Sequence, residues 1–307
     1  MLYCLALGSL FLTLGITPLD AKQAALHQPV CLIPNGQTID RDELPADTLR
    51  EGWMAGVPSS KRVSMVSIPA THDAGTALGQ YGWSRCQVLT IPAQLAVGVR
   101  GFDVRLARVK DRLVVFHHDE YQKVSFKEIL NAFDAFLTKH PSEFIVMRVR
   151  EETGPILATD SFENQFAAAI APHQHLFYKA KSRTEIPTVG ELRGKILVLD
   201  NYGKLPDAVA YENSTMSVQD DYDINDMGKK YAEIVAKFED ALHQTDPGVW
   251  NINYTSSCSI LVDQLQNAQA VNAKVLDYLR GKRGNLGLVL MNFPSVDVIH
   301  EIIASNH

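Results

Sequence analysis

The feature that most constrains this chain is a rhythm that begins at residue 63. Short β-branched runs alternate with amphipathic stretches from there to the C-terminus. The strand-like runs are VSMVSI (63–68), VRGFDVRL (99–106), LVVFHH (113–118), FIVMRVR (144–150), ILVLD (196–200), VWNINY (249–254) and LGLVLMNF (286–293). The helix-like runs are 126–140, 161–171, 227–244, 268–281 and 296–305, with Ser161 and Ser295 at N-cap positions and Gly281 at a C-terminal stop. Strands apolar on both faces suit a parallel sheet covered by helices. Sustained alternation predicts an α/β fold of the distorted TIM (β/α)8 barrel kind in a single domain, rather than an open doubly wound sheet. Seven runs leave one strand of a closed barrel unassigned. No G-x-G-x-x-G opens a helix, so a dinucleotide-binding fold lacks its signature.

Residues 2–19 carry no charge, and small residues follow around Ala21 to Ala25. This predicts a signal peptide over 1–25, with an uncleaved anchor or a mis-assigned start as the alternatives, a single domain over 26–307 and a secreted or periplasmic protein. Lys plus Arg number 29 against 35 Asp plus Glu, a net charge of −6 with no basic stripe. Nucleic acid is therefore not an expected partner. The same charge gives no general attraction to an anionic membrane, so membrane contact would be local and apolar. Tyr81 and Trp83, between the first strand and its helix, are candidates for that contact, against the plainer reading that they pack within their loop. Cys4 falls in the leader, leaving Cys31, Cys86 and Cys258, which allow at most one bridge. No C-x-x-C occurs, which argues against structural zinc.

In a barrel of this kind the chemistry lies at the C-terminal ends of the strands. Those ends carry residues that a core would not choose: His72 and Asp73; Asp103 and Arg105; His117, His118 and Asp119; Arg148, Arg150, Glu151 and Glu152; and Asn292. Each has a plain alternative. His72 reads equally as a hydrogen-bonded structural histidine, Asp103 and Arg105 as an ion pair on one face, and Glu151 and Glu152 as solvated charges. Adjacent His117 and His118 should point to opposite faces of a strand, one into the mouth and one outward. A metal site is the rival functional reading, but Arg105 and Arg150 would repel a cation there. Two imidazoles with arginine suit phosphodiester cleavage by an internal hydroxyl. One imidazole takes the hydroxyl proton, the other protonates the leaving alkoxide, and guanidinium neutralises the non-bridging oxygens.

VSMVSIPATHDAGT, then Gln87, Ile91, Gln94, Leu95, Gly98, Val99, Arg100, Phe102, Asp103 and Arg105, then VVFHH, together resemble the X-type catalytic domain of phosphatidylinositol-specific phospholipase C, in its bacterial secreted single-domain branch. HPSEFIVMRVREE, LRGKILVLDNY, VQDDY, INYTSS and LGLVLMNFP extend the resemblance over about residues 53–305. It implies cleavage of phosphatidylinositol, free or in a glycosylated anchor, to diacylglycerol and inositol 1,2-cyclic phosphate. His72 takes the part of general base on the inositol 2-hydroxyl and His118 that of general acid. Asp73 pairs with that acid, which leaves His117 facing outward. Arg105 binds phosphate, and Asp103 supports the base or the arginine. Arg150, Arg193, Asp220 and Tyr222 resemble residues around the inositol ring, although RGK at Arg193 also reads as a simple strand start.

Calcium-dependent relatives place carboxylates where this chain has Arg105 and Arg150, so the resemblance implies no metal and no cofactor. The expected partner is phosphatidylinositol in a membrane surface, met by a monomer. One departure stands out. The metal-independent enzymes carry a last-strand aspartate that orients the base histidine, and Asn292 aligns there. An amide accepts from imidazole N–H but cannot stabilise imidazolium by charge. The alternatives are a metal-dependent TIM-barrel glycerophosphodiesterase-type enzyme, whose HRG opening is absent, and a catalytically weak inositol-phosphate-binding module.

Overall fold

The computed structural model describes residues 18–31, 37–80 and 84–307. Among them are ten strands: β1 (Ile68–Thr71), β2 (Gly101–Val109), β3 (Arg112–His117), β4 (Glu120–Ser125), β5 (Ile145–Ile156), β6 (Ile196–Asp200), β7 (Val209–Ala210), β8 (Met216–Gln219), β9 (Trp250–Tyr254) and β10 (Leu288–Met291). The helices are α1 (Pro18–Leu26), α2 (Ile91–Val97), α3 (Phe126–Lys139), α4 (Phe162–Ile170), α5 (Val189–Leu192), α6 (Met227–His243), α7 (Gln264–Leu279) and α8 (Val296–Ala304).

Eight strands form one curled parallel sheet in the order β7-β6-β5-β2-β1-β10-β9-β8. No backbone pairing joins β7 to β8 among the described residues, so the barrel is open along that seam. Residues 211–215 alone link the two strands, with no helix between them. A crossover between hydrogen-bonded parallel neighbours needs a longer connection.

The sequence-derived strand count is corrected at two places. The 113–118 run is no barrel strand: β3 pairs antiparallel with β2, and β4 with β3, as a hairpin beside the sheet. The barrel is completed instead by β7 and β8, two and four residues long, too short to carry a readable pattern. Helix starts follow local chemistry. Ser161 and Ser295 cap α4 and α8, and Ser125 and Asp263 form capping boxes at α3 and α7. Gly281 follows α7 at φ 71°, where only a residue without Cβ is unstrained.

Strand alternation divides the apolar residues into two layers. Ile68, Ala70, Val146, Leu197, Leu199, Trp250, Ile252, Leu288 and Leu290 fill the barrel interior. Phe102, Val104, Met147, Val149, Val198 and Val289 face the helices. Each interior series, continued by twos, leads to a polar residue at the mouth: 68-70-72 to His72, 101-103-105 to Arg105, 288-290-292 to Asn292. Gly101 belongs to the interior wall; a Cβ there would collide with Ala70 and come within 2.7 Å of Leu288 Cδ1.

Ala25 and Leu26 of α1 are buried in the core, and Lys22 is paired with Glu43. Residues 1–17, most of the expected leader, lie outside the described residues. No helix among the described residues is long and apolar enough to cross a membrane. Cys31, Cys86 and Cys258 are free thiols.

Candidate active site

His72 leaves the end of β1 and Asn292 the end of β10, neighbouring strands in register. Their side chains meet, with His72 Nδ1 2.9 Å from Asn292 Oδ1. An amide oxygen only accepts, so Nδ1 carries the proton and Nε2 holds a lone pair. That lone pair accepts from Arg105 Nη2 at 2.6 Å. The backbone beneath is pinned by a buried residue outside the predicted set: Gln87 Nε2 donates to His72 O at 2.7 Å and Met291 O at 2.9 Å. Asn272 Nδ2 donates to Asn292 O at 3.0 Å. Asn292 Nδ2 is buried with no hydrogen-bond partner among the described residues.

Arg105 is the hub. Its Nε lies 2.9 Å from Asp73 Oδ1 and 3.0 Å from Asp103 Oδ2, and its Nη1 3.5 Å from Glu152 Oε1. Asp103 in turn takes Arg148 Nη1 at 2.5 Å, and Arg148 also donates to Asn201 Oδ1 and lies over the Tyr211 ring. Burial is the largest single influence on the Asp73 and Asp103 carboxyls and would raise both, but Arg105 together with His72 and His117 at Asp73, and with Arg148 and His72 at Asp103, outweighs it and holds both below the usual range. For His72 burial wins over Asp73, and its pKa falls below the ordinary histidine value. A neutral imidazole beside an ionised arginine results.

The histidine pair departs from the expected alternation. His117 is buried, donates from Nδ1 to Ser84 O at 2.7 Å and sets Nε2 3.7 Å from Asp73 Oδ2. Asp73 therefore faces His117, not His118. His118 is exposed at φ 52°, which ends the strand and folds its ring back over His117, centroids 4.5 Å apart. A left-handed residue breaks the period-2 rule, so both rings lie on one side. Glu152 Oε1 accepts from the His118 backbone N–H at 3.3 Å. Glu152 is thus a buried member of the cluster rather than a solvated loop charge; its parity with Arg148 and Arg150 on β5 was the available signal.

The remaining predicted residues separate. Arg150 stands beside Arg105 in the β2–β5 register, half exposed, with Nε 3.6 Å from Glu152 Oε2. Asp220 follows β8 at the mouth, and burial raises its carboxyl pKa, opposed by His72 nearby. Tyr222 is exposed, its carbonyl accepting from Cys258 N at 2.8 Å. Beneath them Lys230 Nζ donates to Gln219 Oε1 at 3.1 Å and Asp221 O at 2.8 Å, its pKa pushed down to about 8 by burial. Arg193 is not at the site. It donates to the carbonyls of Ser142 at 2.5 Å and Val57 at 2.8 Å, and Ser142 precedes β5, at the opposite end of the barrel. The plain reading of RGK as a strand start holds there. Tyr81 and Trp83 lie outside the described residues.

The family profile "Phosphatidylinositol-specific phospholipase C, X domain" matches residues 63–202. A Listeria monocytogenes protein named 1-phosphatidylinositol phosphodiesterase is 30% identical over 275 residues, covering 83% of this chain and 84% of that one. The chain belongs to the phosphatidylinositol-specific phospholipase C X-domain family. A Staphylococcus aureus protein of the same name is 26% identical over 178 residues, 55% of this chain and 56% of the other. The solved structure of the Listeria phospholipase C superposes with a TM-score of 0.75 at 26% identity, covering 84% of this chain and 99% of that chain. Family membership fits the open barrel and the cluster at its mouth.

Proposed function

We propose that the protein is a phosphatidylinositol-specific phospholipase C that cleaves its lipid to diacylglycerol and inositol 1,2-cyclic phosphate without a metal. The observation that carries this reading is the bond from Arg105 to the unprotonated Nε2 of His72, with Nδ1–H held by Asn292. A substrate phosphate would take the guanidinium, and the inositol 2-hydroxyl would take its place at Nε2. The 2-oxygen then bonds to phosphorus as its proton passes to His72. The phosphorus–oxygen bond to diacylglycerol breaks, and His118 protonates the leaving alkoxide. The guanidinium offers paired donors to the non-bridging oxygens. Asp73 and Asp103 hold Arg105 in place from behind. Arg150, Asp220 and Tyr222 rim the space for the inositol ring. The names of the Listeria and Staphylococcus relatives support the substrate class.

A lipid substrate requires a membrane-facing rim. The 255–263 loop after β9 offers one, with Ile260 97% and Leu261 71% exposed and the adjoining Tyr222 exposed as well. Large apolar side chains at a loop tip gain by entering the interface. We assign the first contact with the bilayer to this loop, and an exported location fits both that lipid surface and the bacterial relatives.

The test is incubation of purified protein with phosphatidylinositol vesicles in excess EDTA, reading diacylglycerol and inositol 1,2-cyclic phosphate. Both products are expected. Turnover only after calcium is restored would refute the role given to Arg105.

A further inference from the structure

One thiol lies beside the reacting groups, and the proposed reaction has no use for it. Cys86 is fully buried and fixed from both sides. Its backbone N–H donates to Thr76 Oγ1 at 3.0 Å, and its carbonyl accepts from Phe293 N at 2.8 Å. Its Sγ lies 3.9 Å from Asp73 Oδ2. The same oxygen is 3.3 Å from His72 Nε2. One nitrogen, one oxygen and one sulfur donor thus lie within 4.8 Å of one another. Tetrahedral coordination, with bonds of about 2.0 Å to nitrogen or oxygen and about 2.3 Å to sulfur, spaces donors about 3.3–3.6 Å apart. The nitrogen–oxygen pair already has that spacing, and the sulfur, 3.9 Å from the oxygen and within 4.8 Å of the nitrogen, moves inward to reach it.

We propose that His72, Asp73 and Cys86 form an inhibitory binding site for Zn²⁺ and related thiophilic cations. Imidazole, carboxylate and thiolate are a zinc-type donor set, unlike the all-oxygen shells of calcium and magnesium. Asp73 engages Arg105 through Oδ1, which leaves Oδ2 for the ion. The surroundings are balanced in charge: the carboxylates of Asp73, Asp103 and Glu152 equal in number the guanidiniums of Arg105, Arg148 and Arg150. The arginines weigh against a hard cation held by oxygen alone; a thiolate adds a further negative charge and a bond with covalent character. His72, its side chain 15% exposed, is the one member of the three that reaches the mouth, and the fourth ligand position is filled from there.

The step balances without oxidation or reduction. The metal–sulfur bond forms as the Cys86 thiol proton leaves to solvent. His72 supplies the Nε2 lone pair and keeps its Nδ1 proton on Asn292. The ion displaces Arg105 Nη2 from Nε2, the nitrogen that must receive the 2-hydroxyl proton. A filled site therefore has no base.

Cd²⁺ is titrated into the full chain and into Cys86→Ala, reading the thiolate-to-cadmium charge-transfer band in the ultraviolet. Zn²⁺ is titrated in parallel against turnover on phosphatidylinositol vesicles. Cys86→Ser serves as a second variant should the alanine protein fold poorly. The inhibition arm rests on the proposed activity; the absorption arm does not. The band should appear in the native protein and be reduced by loss of Cys86. Zinc should inhibit the native protein at concentrations at least about tenfold lower than the variant, since loss of a group that merely orients a ligand already costs that much metal affinity. Basal turnover without metal should be equal in the two. Equal bands, or equal zinc sensitivity, would overturn the site. A Cys86-dependent band without inhibition would overturn its inhibitory role. Absence of turnover in metal-free native protein would refute the proposed reaction instead, and the band alone would then decide the site.

Discussion

Two arginines along one stretch of chain, Arg100 just before β2 and Arg105 within it, mark opposite ends of the barrel. Arg100, at the entry to β2, faces Glu143 at 2.9 Å and gives its other protons to the carbonyls of Leu95, Val99 and Glu51, each at 2.8 Å. Glu143 also accepts from Met54 N. Those acceptors are backbone, fixed by the fold. Arg105, five residues on, donates to Asp103 and His72 and is ion-paired with Asp73 and Glu152, all side chains, and keeps 12% of its own side chain exposed. Burial and ion pairing do not distinguish the two. What distinguishes them is whether the partners can be exchanged for a ligand. Arg193 belongs with Arg100 by this measure, since its acceptors are mainly carbonyls.

The largest effects should separate chemistry from scaffold. His72→Ala and His118→Ala should each lower kcat by ~10²–10⁴-fold, the usual contribution of a general base or acid, with Tm nearly unchanged. A normal kcat in His118→Ala, with loss in a well-folded His117→Ala protein, would move the acid to the buried ring. Arg100→Met should do the reverse. It strands the Glu143 charge and should cost about 3–5 kcal/mol in urea unfolding while leaving kcat of the folded fraction intact. A fall in kcat without a fall in stability would erase the contrast between the two ends.

Arg105→Lys sharpens the comparison at the mouth. A point charge cannot hold two carboxylates, an imidazole and a phosphate with one fork, so kcat/KM should drop ~10²-fold despite the conserved charge. Silent replacement would mean that charge alone suffices.

The smallest effect is expected at Asn292. Burial holds the His72 pKa below its ordinary value, so the base stays unprotonated, and active, to correspondingly lower pH. Asn292→Asp adds an anion at Nδ1 and relieves an unpartnered amide. The His72 pKa should rise, and the acid limb of kcat/KM should move up by about one pH unit or more. Turnover at neutral pH should increase modestly, because imidazolium formed during attack gains a counter-charge. A limb that stays put would place the titrating group elsewhere.

Strand alternation made much of this site readable in one dimension. His72, Asp103, Arg105 and Asn292 fall on the interior parity of strands whose apolar members declare which face is inside. Parallel strands and helix caps are local properties, so the barrel class and most element positions follow from the residues themselves. Three things do not. The strands β7 and β8 are too short for any pattern, and their pairing with β6 and β9 decides them. The facing of His117 and His118 turns on one positive φ at the end of a hairpin strand, a backbone state that no side-chain sequence announces. The separation of Arg193 from Arg105 is set by which end of the barrel each strand junction occupies, since the same guanidinium chemistry serves both places. Residue type and period fix what a side chain offers and which face it takes; only the closing of the sheet fixes what stands opposite.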